Sequence, residues 1–171
     1  MERNFCPHSG PWWHEVGPMG SRGMFHGQIR TSVDHKGRAS VPSNFRAELT
    51  DAEDRSFTAA MSLDPCLIAY PVARWREFGE RLAGMAAEHD PAARSARRWY
   101  LGGAFALTLD GHGRVLLPPA LREWAGVGKE VIWVGVGDHL EIWEPKRFAE
   151  SQRQVLKDPG ALAKALADKG L

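Results

Sequence analysis

The sequence predicts an α+β fold in which two related halves share one core about a pseudo-twofold axis. Three observations carry that expectation. Gly27, Asp34, Gly37, Arg38, Pro42 and Arg46 recur as Gly103, Asp110, Gly113, Arg114, Pro118 and Arg122, each 76 residues later. Further on, Leu67, Tyr70 and Trp75 correspond to Leu140, Trp143 and Phe148 at a separation of 73, so the second copy has lost three residues in an intervening loop. Within each copy, alternating apolar residues give way to short helical patterns, and elements so short bury too little apolar area alone to offset chain entropy. The two copies are therefore expected to form a single interleaved core.

Taken in order, residues 1–23 read as a loose arm, because four glycines and three prolines interrupt any period. The first copy spans residues 24–90. It opens with alternation at Ile29, Thr31 and Val33, a strand with one buried face. Asp34-His35-Lys36-Gly37 follows as a turn, in which an Asp carboxylate accepts backbone N–H groups and glycine takes positive φ. Ala39 to Val41 is a return strand across this hairpin loop, and Pro42 opens a brief helix with Phe45 and Leu49 on one face. A strand pair, Ser56 to Met61 with Leu67 to Tyr70, precedes a closing helix from Val72 to Met85. Residues 91–101 form a linking helix on which Arg94, Arg97 and Arg98 cluster.

The second copy, residues 102–150, repeats this grammar. Phe105, Leu107 and Leu109 alternate, Asp110-Gly111-His112-Gly113 turns, and Val115 to Leu117 returns. Leu121 and Ala125 mark the helix face and Gly126 stands where that helix stops. Val131 to Val136 pairs with Leu140 to Trp143, and a helix runs from Pro145 to Leu156. The tail, residues 151–171, contains Pro159-Gly160 and then an Ala, Leu and Lys stretch of marginal helical character.

Composition narrows the function. With 43% hydrophobic and 25% charged residues, the chain of 171 residues has an ordinary globular balance, not that of a disordered, collagenous or coiled-coil protein. No apolar run approaches the ~18 residues of a membrane span. Two cysteines are too few for a disulfide framework, and the first residues lack the apolar middle of a secretory signal, so a reducing cytoplasm is expected. A formal charge of +1 does not announce a nucleic-acid partner, so any such case rests on local charge.

Locally the case is stronger. Residues 27–46 carry Arg30, Lys36, Arg38 and Arg46 against Asp34, three net positive charges, whereas Arg114 and Arg122 against Asp110 leave one in the second copy. Asp and Arg four apart across a tight turn form a pair, which alone is a structural device. Arginine is also a planar, permanently charged donor fork suited to guanine edges and phosphates, and two symmetric turns suit a duplex.

Met24-Phe25-x-Gly27, Asp34-x-Lys36-Gly37-Arg38, Val41-Pro42, Phe45-Arg46, Tyr70-Pro71, Asp110-x-x-Gly113-Arg114, Val134-Gly135-x-Gly137 and Glu141-Ile142-Trp143 resemble the MraZ family, over residues 24 to about 150. The resemblance implies two AbrB/SpoVT-like swapped-hairpin motifs closing a β-barrel with short helices. It implies a transcriptional regulator that assembles into rings and binds G-rich direct repeats in double-stranded DNA, typically the promoter of its own division and cell-wall gene cluster. Such a protein is cytoplasmic and nucleoid-associated. By this resemblance Arg38 and Arg114 read bases and Lys36 supports them at the backbone, while Arg30 and His112 complete the candidate contacts. Asp34, Gly37, Asp110 and Gly113 are the structural members of the motif. His112 stands opposite Lys36 in the repeat, and His26 replaces a basic residue of many relatives. Residues 1–23 precede the usual family start, as either a lineage-specific arm or an upstream start codon. An antitoxin-like protein-interaction module of the same fold is the alternative.

Enzymatic readings find no support. The seven histidines are scattered without His-Glu-x-x-His or Cys-x-x-Cys spacing, so no metal site, cofactor or small-molecule substrate is expected. Cys6, His8 and His14 fall within the arm. The Gly135 and Gly137 pair lacks the third glycine and following helix of a dinucleotide site. Cys66 reads as a packed thiol, and Trp75, Trp99, Trp124, Trp133 and Trp143 as core or subunit interface.

Overall fold

The computed structural model describes residues 24–50, 54–85 and 90–170. The expected arm, with Cys6, His8, His14, Trp12 and Trp13, lies outside these, as does His89. Alternating apolar residues form β1 (Phe25–Ser32), and after the first turn β2 (Arg38–Ser40) leads through Pro42 into α1 (Ser43–Leu49). The hairpin β3 (Ser56–Met61) and β4 (Leu67–Pro71) is followed by α2 (Val72–Gly84) and α3 (Pro91–Gly102). The second half repeats the order: β5 (Phe105–Thr108), β6 (Arg114–Leu116), α4 (Pro119–Ala125), β7 (Glu130–Gly137) and β8 (Leu140–Trp143). Two further helices, α5 (Pro145–Lys157) and α6 (Pro159–Ala167), follow. Among the described residues the fold is thus mixed α and β, with six helices and antiparallel sheet.

Strand pairing departs from the local hairpins expected at each turn. β1 forms no ladder with β2 and β5 none with β6; an isolated bridge just past the end of each first strand, Val33–Ala39 and Leu109–Val115, links it to the ribbon. Instead the sheet order is β1-β7-β8-β4-β3-β5, with β2 and β6 forming a separate ribbon. Each half lends its first strand to the other's second hairpin: β1 pairs with β7 from Phe25–Gly137 to Ser32–Glu130, and β5 with β3 from Phe105–Ala59 to Thr108–Ser56. The reason is apolar burial. A strand that leaves its own half covers the shared core from the far side, which neither half can close alone.

The core joins both halves. Phe45 and Leu49 of α1, Leu121 and Ala125 of α4, Phe57, Leu67, Leu107, Trp133, Leu140 and Ile142 are buried in one cluster. The expected helix faces are therefore the buried ones, and Gly126 caps α4 in the left-handed region at φ 66°. On β7, Val131 and Trp133 enter this core. Ile132 and Val134 face a smaller cluster with Cys66, Trp143 and Phe148.

Several bounds shift. The return strands begin one residue earlier than expected, at Arg38 and Arg114, because pairing starts directly at the closed turn. Val41 and Leu117 prolong the ribbon by donating to the Gly113 and Gly37 carbonyls, both at 3.0 Å. The helix after β4 stops at Gly84, where the Arg97 guanidinium of α3 donates to the Leu82, Ala83 and Met85 carbonyls and so satisfies its free end. The tail holds more helix than expected, since α5 runs to Lys157 and Asp158 then caps α6 by accepting from the Ala161 N–H.

Candidate nucleic-acid interface

The first turn, residues 34–37, closes when Gly37 donates to the Asp34 carbonyl at 2.9 Å and Asp34 to the Arg38 carbonyl at 2.9 Å. Gly37 stands at φ 82° and Gly113 at φ 73°, conformations that L side chains rarely adopt. The second turn, residues 110–113, repeats both bonds at 3.0 and 2.8 Å. The Asp of each turn then organises its inside. Asp34 Oδ1 accepts from the Lys36 and Arg38 N–H groups at 2.9 and 3.0 Å, and Oδ2 from Arg38 Nε at 2.7 Å. Asp110 Oδ1 accepts from the His112 and Arg114 N–H groups at 2.9 and 3.0 Å, and Oδ2 from Arg114 Nε at 2.9 Å.

These bonds stabilise the carboxylates as anions. The Arg38 backbone N–H, then its guanidinium and the Lys36 N–H, hold the Asp34 carboxyl down at about 2 against partial desolvation. The Arg114 backbone and side chain hold Asp110 well below the ordinary carboxylate range. Each arginine is thereby fixed through Nε, and Arg114 also through Nη2, 2.8 Å from Asp110 Oδ2. Arg114 reaches across the ribbon as well, with Nη1 3.7 Å from Asp34 Oδ2.

Ribbon register decides where the arginines face. Arg38 pairs with Leu116, Ala39 with Val115 and Ser40 with Arg114. Directly opposed residues share a face. Ala39 and Val115 are buried, so Arg38, Ser40, Arg114 and Leu116 form the opposite, outward face. Arg38 and Arg114 therefore sit on the same side of the molecule, about a third exposed at 31% and 28%, with Lys36 and His112 exposed on the flanking turns. The structural pairing of Asp with Arg and an outward arginine coexist.

Arg30 is not part of this group. Thr31, its neighbour on β1, turns to the ribbon and donates to the Ser40 carbonyl at 2.7 Å, so Arg30 faces the other way. There it lies 3.7 Å from Glu130, both more than half exposed, beside Lys129, Lys146 and Arg153. Cys66 is fully buried, and burial pushes its thiol up to about 12, which fits packing and not nucleophilic chemistry.

Two residues that recur in the sequence without entering the candidate set belong to the site's frame. Arg46 Nε donates to the Val41 carbonyl at 2.9 Å and Arg122 Nε to the Leu117 carbonyl at 3.1 Å. Both guanidinium groups lie against turn glycines. A Cβ on Gly37 would stand 2.8 Å from Arg122 Cζ, and one on Gly113 2.5 Å from Arg46 Cζ. The signal was present in the shared register of Pro42-Arg46 and Pro118-Arg122.

Known proteins supply the comparison. A family model described as "MraZ protein, putative antitoxin-like" matches the chain twice, over residues 24–98 and 100–166. The chain is 39% identical over 132 residues to the transcriptional regulator MraZ of Pseudoalteromonas translucida (strain TAC 125), covering 77% of this chain and 86% of that protein. It is 36% identical over 148 residues to the protein of the same name in Desulfitobacterium hafniense (strain Y51), covering 86% and 100%. It is 37% identical over 145 residues to that of Moorella thermoacetica, covering 85% and 98%. Two family matches that meet within α3, together with these relatives, accord with the duplicated turns: the chain belongs to the MraZ family.

Proposed function

We propose that this chain is a sequence-specific DNA-binding transcriptional regulator and not an enzyme. Its targets are G-rich direct repeats in the promoter of its own division and cell-wall gene cluster, and it acts in the cytoplasm at the nucleoid. The observation that carries this reading is the outward ribbon face, where Arg38 and Arg114 are each held by an Asp through Nε and share one side. A guanidinium preset in this way offers the N–H groups that its Asp leaves free to guanine O6 and N7 without first losing rotamer freedom. Lys36 and His112, exposed on the turns, contact the phosphate backbone, and Arg30 adds a more distant phosphate contact from the other face of β1. Asp34, Gly37, Asp110 and Gly113 shape the turns.

In this reading residues 24–90 and 102–150 are two AbrB/SpoVT-like swapped-hairpin repeats. The bridges Val33–Ala39 and Leu109–Val115, which tie both ends of the large sheet to the ribbon, support a closed barrel. Several copies assemble as a ring. The relatives' shared name, transcriptional regulator, supports the same function. The family description as antitoxin-like favours a second reading, a protein-interaction module of the same fold.

Fluorescence anisotropy of the purified chain with a guanine-rich repeat duplex and a scrambled duplex tests the proposal. Tight binding to the repeats alone, with no added protein partner, is the expected result. Equal affinity for both duplexes, or none for either, overturns it.

A further inference from the structure

The frame around the two turns is crossed between the repeats. Arg122 belongs to α4 of the second repeat, yet its guanidinium lies on Gly37 in the first repeat's turn. Arg46 belongs to α1 of the first repeat and lies on Gly113 in the second. Backbone bonds cross in the same sense: the Leu117 N–H donates to the Gly37 carbonyl, and the Val41 N–H to the Gly113 carbonyl. Each arginine is itself anchored on its own repeat through Nε, to Leu117 or to Val41.

We infer that Arg46 and Arg122 are positioning residues, each seating the arginine-bearing turn of the other repeat; their part in reading DNA rests on the function proposed above. The physics is steric and specific to glycine. Both turn glycines take positive φ and present a bare Cα, and a planar guanidinium fits flat against that surface where any Cβ would collide. The lid covers the peptide that leads directly into Arg38 or Arg114. Removing it frees a turn whose neighbouring Asp bonds are only partly shielded from water, and local opening follows the fewest protecting contacts. The looseness then appears in the repeat that was not mutated.

This crossing gives a readout that a general stabilising role cannot imitate. Base discrimination is first mapped with Arg38→Ala and Arg114→Ala, which define the operator positions that depend on each reader. Arg122→Ala is expected to lose discrimination several-fold at the Arg38-dependent positions, and Arg46→Ala at the Arg114-dependent ones. In double-mutant cycles, Arg122→Ala couples more strongly to Arg38→Ala than to Arg114→Ala, since Arg114 meets that turn only through the 3.7 Å approach of Nη1 to Asp34. A uniform loss at all positions overturns the inference.

A second arm needs no DNA. Amide hydrogen exchange followed by NMR is expected to speed roughly tenfold at Gly37 and Arg38 in Arg122→Ala while Gly113 and Arg114 hold their rates. Acceleration in both turns, or only at Gly113 and Arg114, overturns the crossed frame even if DNA binding is normal. Crossed exchange in a protein that binds no DNA upholds the frame and overturns only the function above. Should the alanine variant fold poorly, Arg122→Lys keeps charge and a donor for Leu117 but no planar lid, and the same crossed pattern is expected of it.

Discussion

Asp34 and Asp110 are the acids around which the two turns are built. Each accepts three hydrogen bonds from its own turn, and the consequence is a pH limb with a definite sign. The folded value for Asp34, about 2, lies below its ordinary 3.8, so its stabilising contribution is complete above pH ~4 and is lost as pH falls toward 2. Urea unfolding midpoints should stay level from neutrality down to that point and then fall, and Asp34→Asn should flatten the limb. A steeper limb in the variant would contradict the assignment. Arg38→Ala or Arg114→Ala tests the other partner. Because these pairs are partly exposed, either substitution should change stability by about 0–1 kcal/mol. Binding to the guanine repeat should weaken by about 5- to 150-fold, the worth of a bidentate contact. Early melting together with aggregation would mean the pairs serve the fold alone. At this scale the sequence was informative because an Asp-x-x-Gly-Arg turn is local: its hydrogen bonds close within five residues. What it did not expose was the side on which Arg30 stands, set by the Thr31 bond to Ser40, and the reach of Arg46 and Arg122 into the opposite repeat.

Among the secondary elements, the ribbon and the large sheet are joined by one polar relay through the core. The buried Trp133 indole donates to Thr31 Oγ1 at 3.0 Å, and that hydroxyl donates to the Ser40 carbonyl at 2.7 Å. Thr31→Val keeps the shape but leaves the indole N–H and the carbonyl without partners, so unfolding free energy should drop by ~1–3 kcal/mol. Chemical denaturation measures this. A variant as stable as the parent would show that water or a shifted side chain replaces the hydroxyl. Alternation, proline and glycine signals made most strands and helices readable to within a residue or two, because each depends on neighbours in the chain; β1 is the exception, starting at Phe25, four residues before the alternation at Ile29. Pairing partners were harder to read. Nothing local in Phe25–Ser32 distinguishes a strand that pairs with β2 from one that crosses to β7; that choice is made by where the other half leaves apolar surface uncovered.

For the whole molecule, the net charge of +1 limits what a single copy can do. On the function proposed above, two outward arginines with a lysine and a histidine would meet only a few phosphates, and affinity from so few contacts falls quickly with salt. If several copies present their ribbons in a row, later engagements become intramolecular and avidity adds ~10²–10⁴. Binding should therefore be much tighter to three repeats spaced about one helical turn, ~10 bp, than to one repeat or to three at half-turn spacing. Equal affinity for all three duplexes, or tight binding by a monomer in sedimentation, would refute the assembly. The duplication was legible because six residues keep one register, whereas the number of copies in an assembly leaves no periodic trace in a single chain.

The exchange of first strands also sets an order of events during synthesis. Phe25, at the start of β1, finds its partner at Gly137, and the whole β1 ladder lies between residues far apart in the chain. A ribosome must complete the second half before β1 has anything to pair with, so the newborn first half waits with an open strand edge and a half-covered core. Such edges recruit other chains. Maturation is consequently post-translational and slow relative to local hairpins, and a transcript truncated before β7 yields a fragment destined for aggregation or proteolysis rather than a working half.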